Sequence, residues 1–155
     1  MAADIRRLIV EYLTEAKLMQ IATVKANKPW VATVWYVHDE DLNLYFISKR
    51  ARRHSLEIKE NLNVAGAIVK PHTVGSGEKV RGLQFEGTAE EARGAILRKA
   101  WGLYLAKYPS AEKVPIEHLE DPTLKATYYV VKPKLIVLFD EINFPDSPRQ
   151  ELKLR

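Results

Sequence analysis

Between Met19 and Ser48 the chain runs through MQIATVK, WVATVWYVH and LYFIS, three β-rich segments separated only by ANKP and DEDLN. Apolar and polar residues alternating with a period of two mark strands that bury one face. Breaks of four or five residues cannot hold the crossover of a dozen or more residues that parallel neighbours require. The three runs therefore pair as an antiparallel meander, and the rest of the chain must be built around it.

Ahead of the meander, Ile5, Leu8, Ile9, Tyr12, Leu13 and Ala16 recur at helical spacing behind Asp4, a good N-cap. They predict an amphipathic helix that covers the sheet. Beyond the meander, SLEIKENLN reads as a short helix reaching about Asn61, and NVAGAIVK as a strand buried on both faces. PHTVGSGEK is a loop by its Pro and Gly content, and VRGLQFEGTAE resumes as a strand. Gly82 and Gly87 within it indicate a bulge, a sharp barrel bend or a close backbone approach.

Residues Glu90 to Tyr108 carry Ile96, Leu97, Ala100, Trp101, Tyr104 and Leu105 at helical intervals and predict a second long helix. SAEKVPIEHLEDPTLK follows as an irregular connection. ATYYVVKPKLIVLFDEINF then gives two strand runs split around Pro133, which can donate no ladder hydrogen bond and belongs at an edge or a bend. With no β-α-β alternation, and a length of 155 residues that suits one core, the prediction is a single domain over residues 1–155. Its class is α+β or mainly β, a six-stranded antiparallel barrel with peripheral helices.

Composition narrows the chemistry. The absence of cysteine removes disulfides, thiol nucleophiles, thiolate zinc sites and iron–sulfur clusters together, and fits a cytoplasmic setting. No apolar run approaches the roughly 20 residues of a membrane span, and the N-terminal charges are spaced unlike those of a secretory signal. His38, Asp39, Glu40 and Asp41 are consecutive in a hairpin turn, where side chains diverge into water rather than converge on a metal. His72 and His118 stand in loops with no ligand spacing. GSGEK lacks the spacing of a P-loop, and no Gly-x-Ser-x-Gly elbow is present. The aromatic second strand, with Trp30, Trp35 and Tyr36, reads as packing before it reads as a stacking surface, and Trp101 reads as core.

One stretch resists a purely structural account. LYFISKRARRH leads a strand into a helix through a cluster of cations, although cations at a helix N-terminus each lose roughly 0.3–1 kcal/mol against the macrodipole. Either the turn is solvated and partly compensated by Glu57 and Glu60, or the amides and guanidinium groups are arranged for a dianion. Nucleic acid is the weaker partner: the net charge is only +4, the remaining cations are dispersed, and no recognition motif accompanies the cluster.

Taken together, IATV, WVATVWYVHDEDLNLYFIS, Arg-Arg-His-Ser before a short helix, NVAGAIV, RGLQFEG and the closing VVKPKLIVLFDE resemble the pyridoxamine 5′-phosphate oxidase-like split barrels, a superfamily of small FMN-binding proteins. The resemblance spans residues 5–144. It is nearest to a small bacterial branch with Thr or Ser, four residues, then Arg-His after the third strand, followed later by a Gly-x-Gln-Phe-x-Gly strand. Here these are Ser48, Arg53 and His54, and Gly82, Gln84, Phe85 and Gly87.

The resemblance implies a homodimer with FMN in a groove between two barrels, and an FMN-dependent oxidoreductase acting on a small molecule. By position it assigns the phosphate to Ser48, Arg53 and His54, with Lys49 and Arg52 as further contacts. The flavin ring falls along the backbone of Thr33, Val34 and Trp35, beside Ile47, with Gln84 and the neighbouring subunit's Trp101 as looser contacts. Two departures separate the chain from the true pyridoxamine phosphate oxidases. Ala32 stands where they place an arginine, and the end SPRQELKLR lacks their Arg-Leu-x-Pro motif. The surplus cations Lys49, Arg50 and Arg52 also suit a longer anionic tail, so a non-catalytic holder of flavin, deazaflavin or haem is the alternative.

Overall fold

The computed structural model describes residues 3–111 and 114–155. It opens with α1 (Ile5–Glu15), capped by the Asp4 side chain, which accepts from the Arg7 amide at 3.1 Å. The three β-rich runs follow as β1 (Leu18–Lys25), β2 (Lys28–Trp35), β3 (Val37–His38) and β4 (Leu44–Lys49); β1 and β2 form the expected hairpin, but the second run pairs with the third only through β3. Ala26 and Asn27, both at positive φ, form a two-residue turn between β1 and β2. Next come α2 (Arg53–Glu60), β5 (Asn63–Val69), β6 (Arg81–Glu91), α3 (Ala95–Lys107), α4 (Ile116–Leu119), β7 (Ala126–Asp140) and β8 (Arg149–Lys153).

All strand pairs are antiparallel, in the order β2-β1-β5-β6-β7-β4-β3, with β8 added to β7. The sheet curls so that β2 approaches β4 without pairing with it, which leaves a half-open barrel. It has eight strands rather than the expected six. Val37–His38 splits off from β2 at the buried Tyr36, and Arg149–Lys153 pairs with β7 although its sequence carries no apolar alternation.

The two expected runs around Pro133 are one strand of 15 residues. On one edge of β7, pairing with β4 ends at Val131 and pairing with β8 begins at Leu135, so the missing amide of Pro133 falls in the gap. On the other edge, β6 has a bulge between Glu86 and Gly87. A Cβ at Gly87 would overlap the Lys132 carbonyl oxygen, which is the close approach that its glycine foretold.

Two apolar clusters hold the layers together. Inside the barrel, Leu8, Ile9, Tyr12 and Leu13 of α1 pack with Met19, Ile21, Phe46, Ile68 and Leu138. On the opposite face of β4 and β7, Leu97 and Ala100 of α3 with Ile116 and Leu119 of α4 cover Val37, Tyr45, Tyr128 and Val130. The strand sandwiched between layers is thus β7, not β5. Among the described residues no helix covers the outer face of β5, and Ala65 and Val69 lie exposed there.

The second long helix begins at Ala95, not near Glu90, because β6 extends to Glu91 and Gly94 turns the chain at φ +57°. The irregular connection after it contains α4, and its residues 112 and 113 lie outside the described residues.

Candidate functional site

The basic junction links β4 to α2, whose Ile58 packs in the barrel cluster. β4 delivers alternating side chains to opposite faces, with Phe46 in the barrel cluster and Ile47 against the α3 cluster. Ser48 falls on the barrel side, where its hydroxyl lies 2.7 Å from His54 Nε2 and accepts from Ser55 Oγ at 3.3 Å. The chain then turns through Lys49 to Arg52, whose amide donates to the Lys49 carbonyl at 3.1 Å, and α2 starts at Arg53.

Arg52 occupies the N-cap position, and no side chain caps the helix. Leu56 is the first residue whose amide bonds within the helix, to the Arg52 carbonyl at 3.0 Å. The first-turn amides of Arg53, His54 and Ser55 are therefore available to an external acceptor.

Local charges are unequally occupied. Arg53 donates through Nε to Glu57 at 3.0 Å and lies 4.1 Å over the Trp30 ring. Glu57, only 3% exposed, also accepts from Thr23 Oγ1 at 3.2 Å. Arg50 turns away to Glu91 at 2.8 Å and to the Leu124 carbonyl. Arg50 therefore does not join the surplus basic strip expected from the sequence. Lys49 and Arg52 are exposed and have no partner among the described residues. His54 is buried beside the tilted Phe46 ring, 6.1 Å between centroids. Burial, then the neighbouring Arg52, pushes its pKa below the usual histidine value, and Glu57 only partly opposes them. His54 is consequently neutral at pH 7 and able to take up a proton when an anion arrives.

Around this cradle, β2 presents Thr33 and Trp35 outward while Val34 packs inward on the barrel cluster. Trp35 is 50% exposed and meets Tyr108 edge-on at 5.7 Å. Trp30, at 42% exposure, is likewise no core residue and serves as the platform for Arg53. The structure thus gathers Ser48, Lys49, Arg52, Arg53 and His54 at one turn, with β2 alongside.

Gln84 is not part of that gathering. It lies on the outer sheet face in one row with Ala67, Gln20 and Thr33, three strands from β2. Trp101 lies on α3 in the second cluster, and its indole N–H donates to the Val114 carbonyl at 2.8 Å.

Sequence reasoning missed Ser55 and Thr23. A serine two residues past the helix start could have been recognised, because its hydroxyl lies beside the first-turn amides. Thr23 had no local signal, being 34 residues from Glu57. Asp39 also differs from expectation. Its carboxylate is buried and bonded to the Asn43 amide at 2.9 Å, Tyr45 OH at 2.7 Å and Lys99 at 3.2 Å, rather than hydrated. Among the described residues no group of His, Asp and Glu is arranged to hold a metal ion, and no helix is long and apolar enough to cross a membrane.

The sequence matches the pyridoxamine 5′-phosphate oxidase family over residues 5–135. No curated protein matches it. Among solved structures, the fold is similar to a heme binding protein from Mycobacterium smegmatis at a TM-score of 0.72 and 16% identity, over 95% of this chain and 55% of that one. It is also similar to HutZ, the heme storage protein from Vibrio cholerae, at 0.67 and 17% identity, over 84% and 91% of the two chains. General Stress Protein 26 from Bacillus anthracis matches at 0.68 and 17% identity, over 96% and 98%. Likenesses at such identity concern the fold.

Proposed function

The chain belongs to the pyridoxamine 5′-phosphate oxidase family, and on that footing we propose that it is an FMN-binding flavoprotein, an FMN-dependent oxidoreductase acting on a small molecule. The observation that carries this reading is the anion cradle at the start of α2. Uncapped helix amides, the Ser48 and Ser55 hydroxyls, and the side chains of Lys49 and Arg52, which have no partner among the described residues, stand on one turn. A phosphate monoester is close to a dianion at neutral pH and matches such a set of donors.

FMN, when bound, supplies hydride or electron transfer. The chain's own groups supply binding and orientation. Ser48, Arg53 and His54 hold the phosphate, Lys49 and Arg52 add charge, and the Thr33 to Trp35 backbone with Ile47 positions the ring. Ala32 stands where the vitamin B6 oxidases place an arginine, which favours another small molecule as the substrate.

The reading includes a homodimer. Leu18, Val31, Trp35 and Val69 are exposed on the outer sheet face, between 42% and 57%, beside the small residues Ala22, Ala65 and Ala67. A face of exposed apolar and small residues, crossed by the row Thr33, Gln20, Ala67 and Gln84, is suited to a second copy. A two-fold axis through its centre would carry the partner's Gln84 over Thr33, since the two residues end the same row across β2, β1, β5 and β6.

Haem is the second occupant to weigh, because two of the similar structures are haem proteins. Propionates suit the same cations, but the iron needs a side-chain ligand. His54 is buried and engaged by Ser48, so the residues at this turn fit a phosphate better than an iron. Deazaflavin would use the same cations through a longer anionic tail.

A visible absorption spectrum of the purified protein, with identification of the released chromophore, is the first test. Released FMN supports the reading, and haem or deazaflavin keeps the fold and replaces the cofactor. A colourless protein that also refuses added FMN overturns it. In the replacement Arg53→Ala with His54→Ala, FMN affinity should fall by at least about tenfold per contact, since such bonds contribute about 1.5–3 kcal/mol each. Unchanged affinity would remove both residues from the phosphate site.

A further inference from the structure

Ser55, Ile58 and Lys59 of α2 line a separate cleft of about 690 Å³, closed by the end of β6, the start of α3 and the first residues of β7. Neither Arg53 nor His54 belongs to its walls. Its volume lies within the range of small-molecule sites.

The walls divide by chemistry. Ser55, Thr127 and Tyr129, all at most 3% exposed, contribute hydroxyl groups. Thr127 is the cross-strand partner of Ser48, and Ser55 bonds to Ser48, so this polar floor backs directly on the phosphate cradle. Ile58, Leu97 and Leu119 provide an apolar wall.

At the rim, Glu91 is shared by Arg50 at 2.8 Å and Arg93 at 3.2 Å. Glu90 is neutralised by Lys132 and Glu120 by Arg98. Lys59 has no partner among the described residues. Lys59 is therefore the lining cation without a carboxylate partner among the described residues, and it is the charge left for a ligand.

We propose that this cleft is a binding site for a small amphipathic monoanion, a ring-sized molecule bearing a single carboxylate or sulfonate. The apolar wall takes the ring, the hydroxyl floor takes its polar edge, and Lys59 with the shared arginines takes the charge. The cleft shares Ser55 with the phosphate cradle but neither Arg53 nor His54, so a failure of FMN to bind would not by itself remove it.

The probe is 8-anilinonaphthalene-1-sulfonate, an aromatic monoanion whose fluorescence rises on leaving water, titrated into the full chain. One molecule should bind per chain, with amide chemical-shift changes at Ser55, Leu97 and Thr127. Lys59→Glu should weaken it by about tenfold, in line with loss of one charge-assisted contact. Leu62→Trp should block the mouth. Lys59 and Leu62 are both exposed, so these variants retain the fold. The proposal falls if there is no saturable binding, if neither cleft variant alters affinity, or if the shifts map instead to Val31 and Val69 on the outer sheet.

Discussion

At the residue scale, His54 and Arg53 each serve the fold and the cradle at once. His54 is held neutral by burial and by Arg52, so the unfolded chain takes its proton more readily than the folded one. His38 is lowered in the same direction, by burial first and then by Lys107. Stability should therefore be flat above the ordinary histidine value of about 6.5 and fall as pH drops below it, measurable as the denaturant midpoint between pH 8 and 5. A dianion beside His54 reverses that shift and draws a proton in. FMN affinity should accordingly rise a few-fold from pH 8 to pH 6, and His54→Gln should flatten the profile. Arg53 has a structural debt as well, because Glu57 is buried against it. Arg53→Ala should cost about 1–2 kcal/mol in unfolding free energy, with part recovered by adding Glu57→Gln, since Arg53 is itself half exposed.

At the element scale, β6 and β7 form the spine on which the site's two halves are mounted. Gly87 lets the bulge pass the backbone at Lys132 and Pro133, and a methyl group there has nowhere to go. Gly87→Ala should destabilise by more than about 2 kcal/mol, read by thermal or denaturant unfolding. Gly102 is the opposite case. It sits exposed in α3 with open space around its Cβ position, so Gly102→Ala should stabilise by about 0.5–1 kcal/mol. Opposite signs for the same substitution would separate packing from helix propensity. Both glycines look alike in the sequence as interruptions of a regular element.

At the scale of the whole molecule, the outer sheet face is the surface on which the proposed assembly is tested. The barrel interior is filled by α1, and the far side of β4 and β7 by α3 and α4, but among the described residues no helix covers the outer face of β1 and β5. If a second copy covers them, Val31→Asp combined with Val69→Asp should yield a monomer by light scattering. FMN affinity should drop with it, because the partner's Gln84 leaves with the interface. A dimer that survives both substitutions would place the interface elsewhere.

The β1–β2 hairpin, the first helix with its cap, the second helix apart from its start, and an irregularity at Gly87 were legible because they rest on local rules of period, turn length and backbone freedom, whereas β2 and β4, expected to pair, stand toward opposite ends of the sheet order. The family motif and the crowding of Ser48, Arg53 and His54 at one turn were legible for the same reason, since six residues separate the most distant pair. What only the tertiary structure decided involves partners far apart in the chain. Glu57 meets Thr23, Arg50 leaves the strip for Glu91, and Trp30 turns into a platform for Arg53. Likewise β7, not β5, is covered on both faces, because burial depends on which helices return to a strand. Local sequence sets what an element can be, and long-range packing alone selects which of its charges are spent internally and which remain for a ligand.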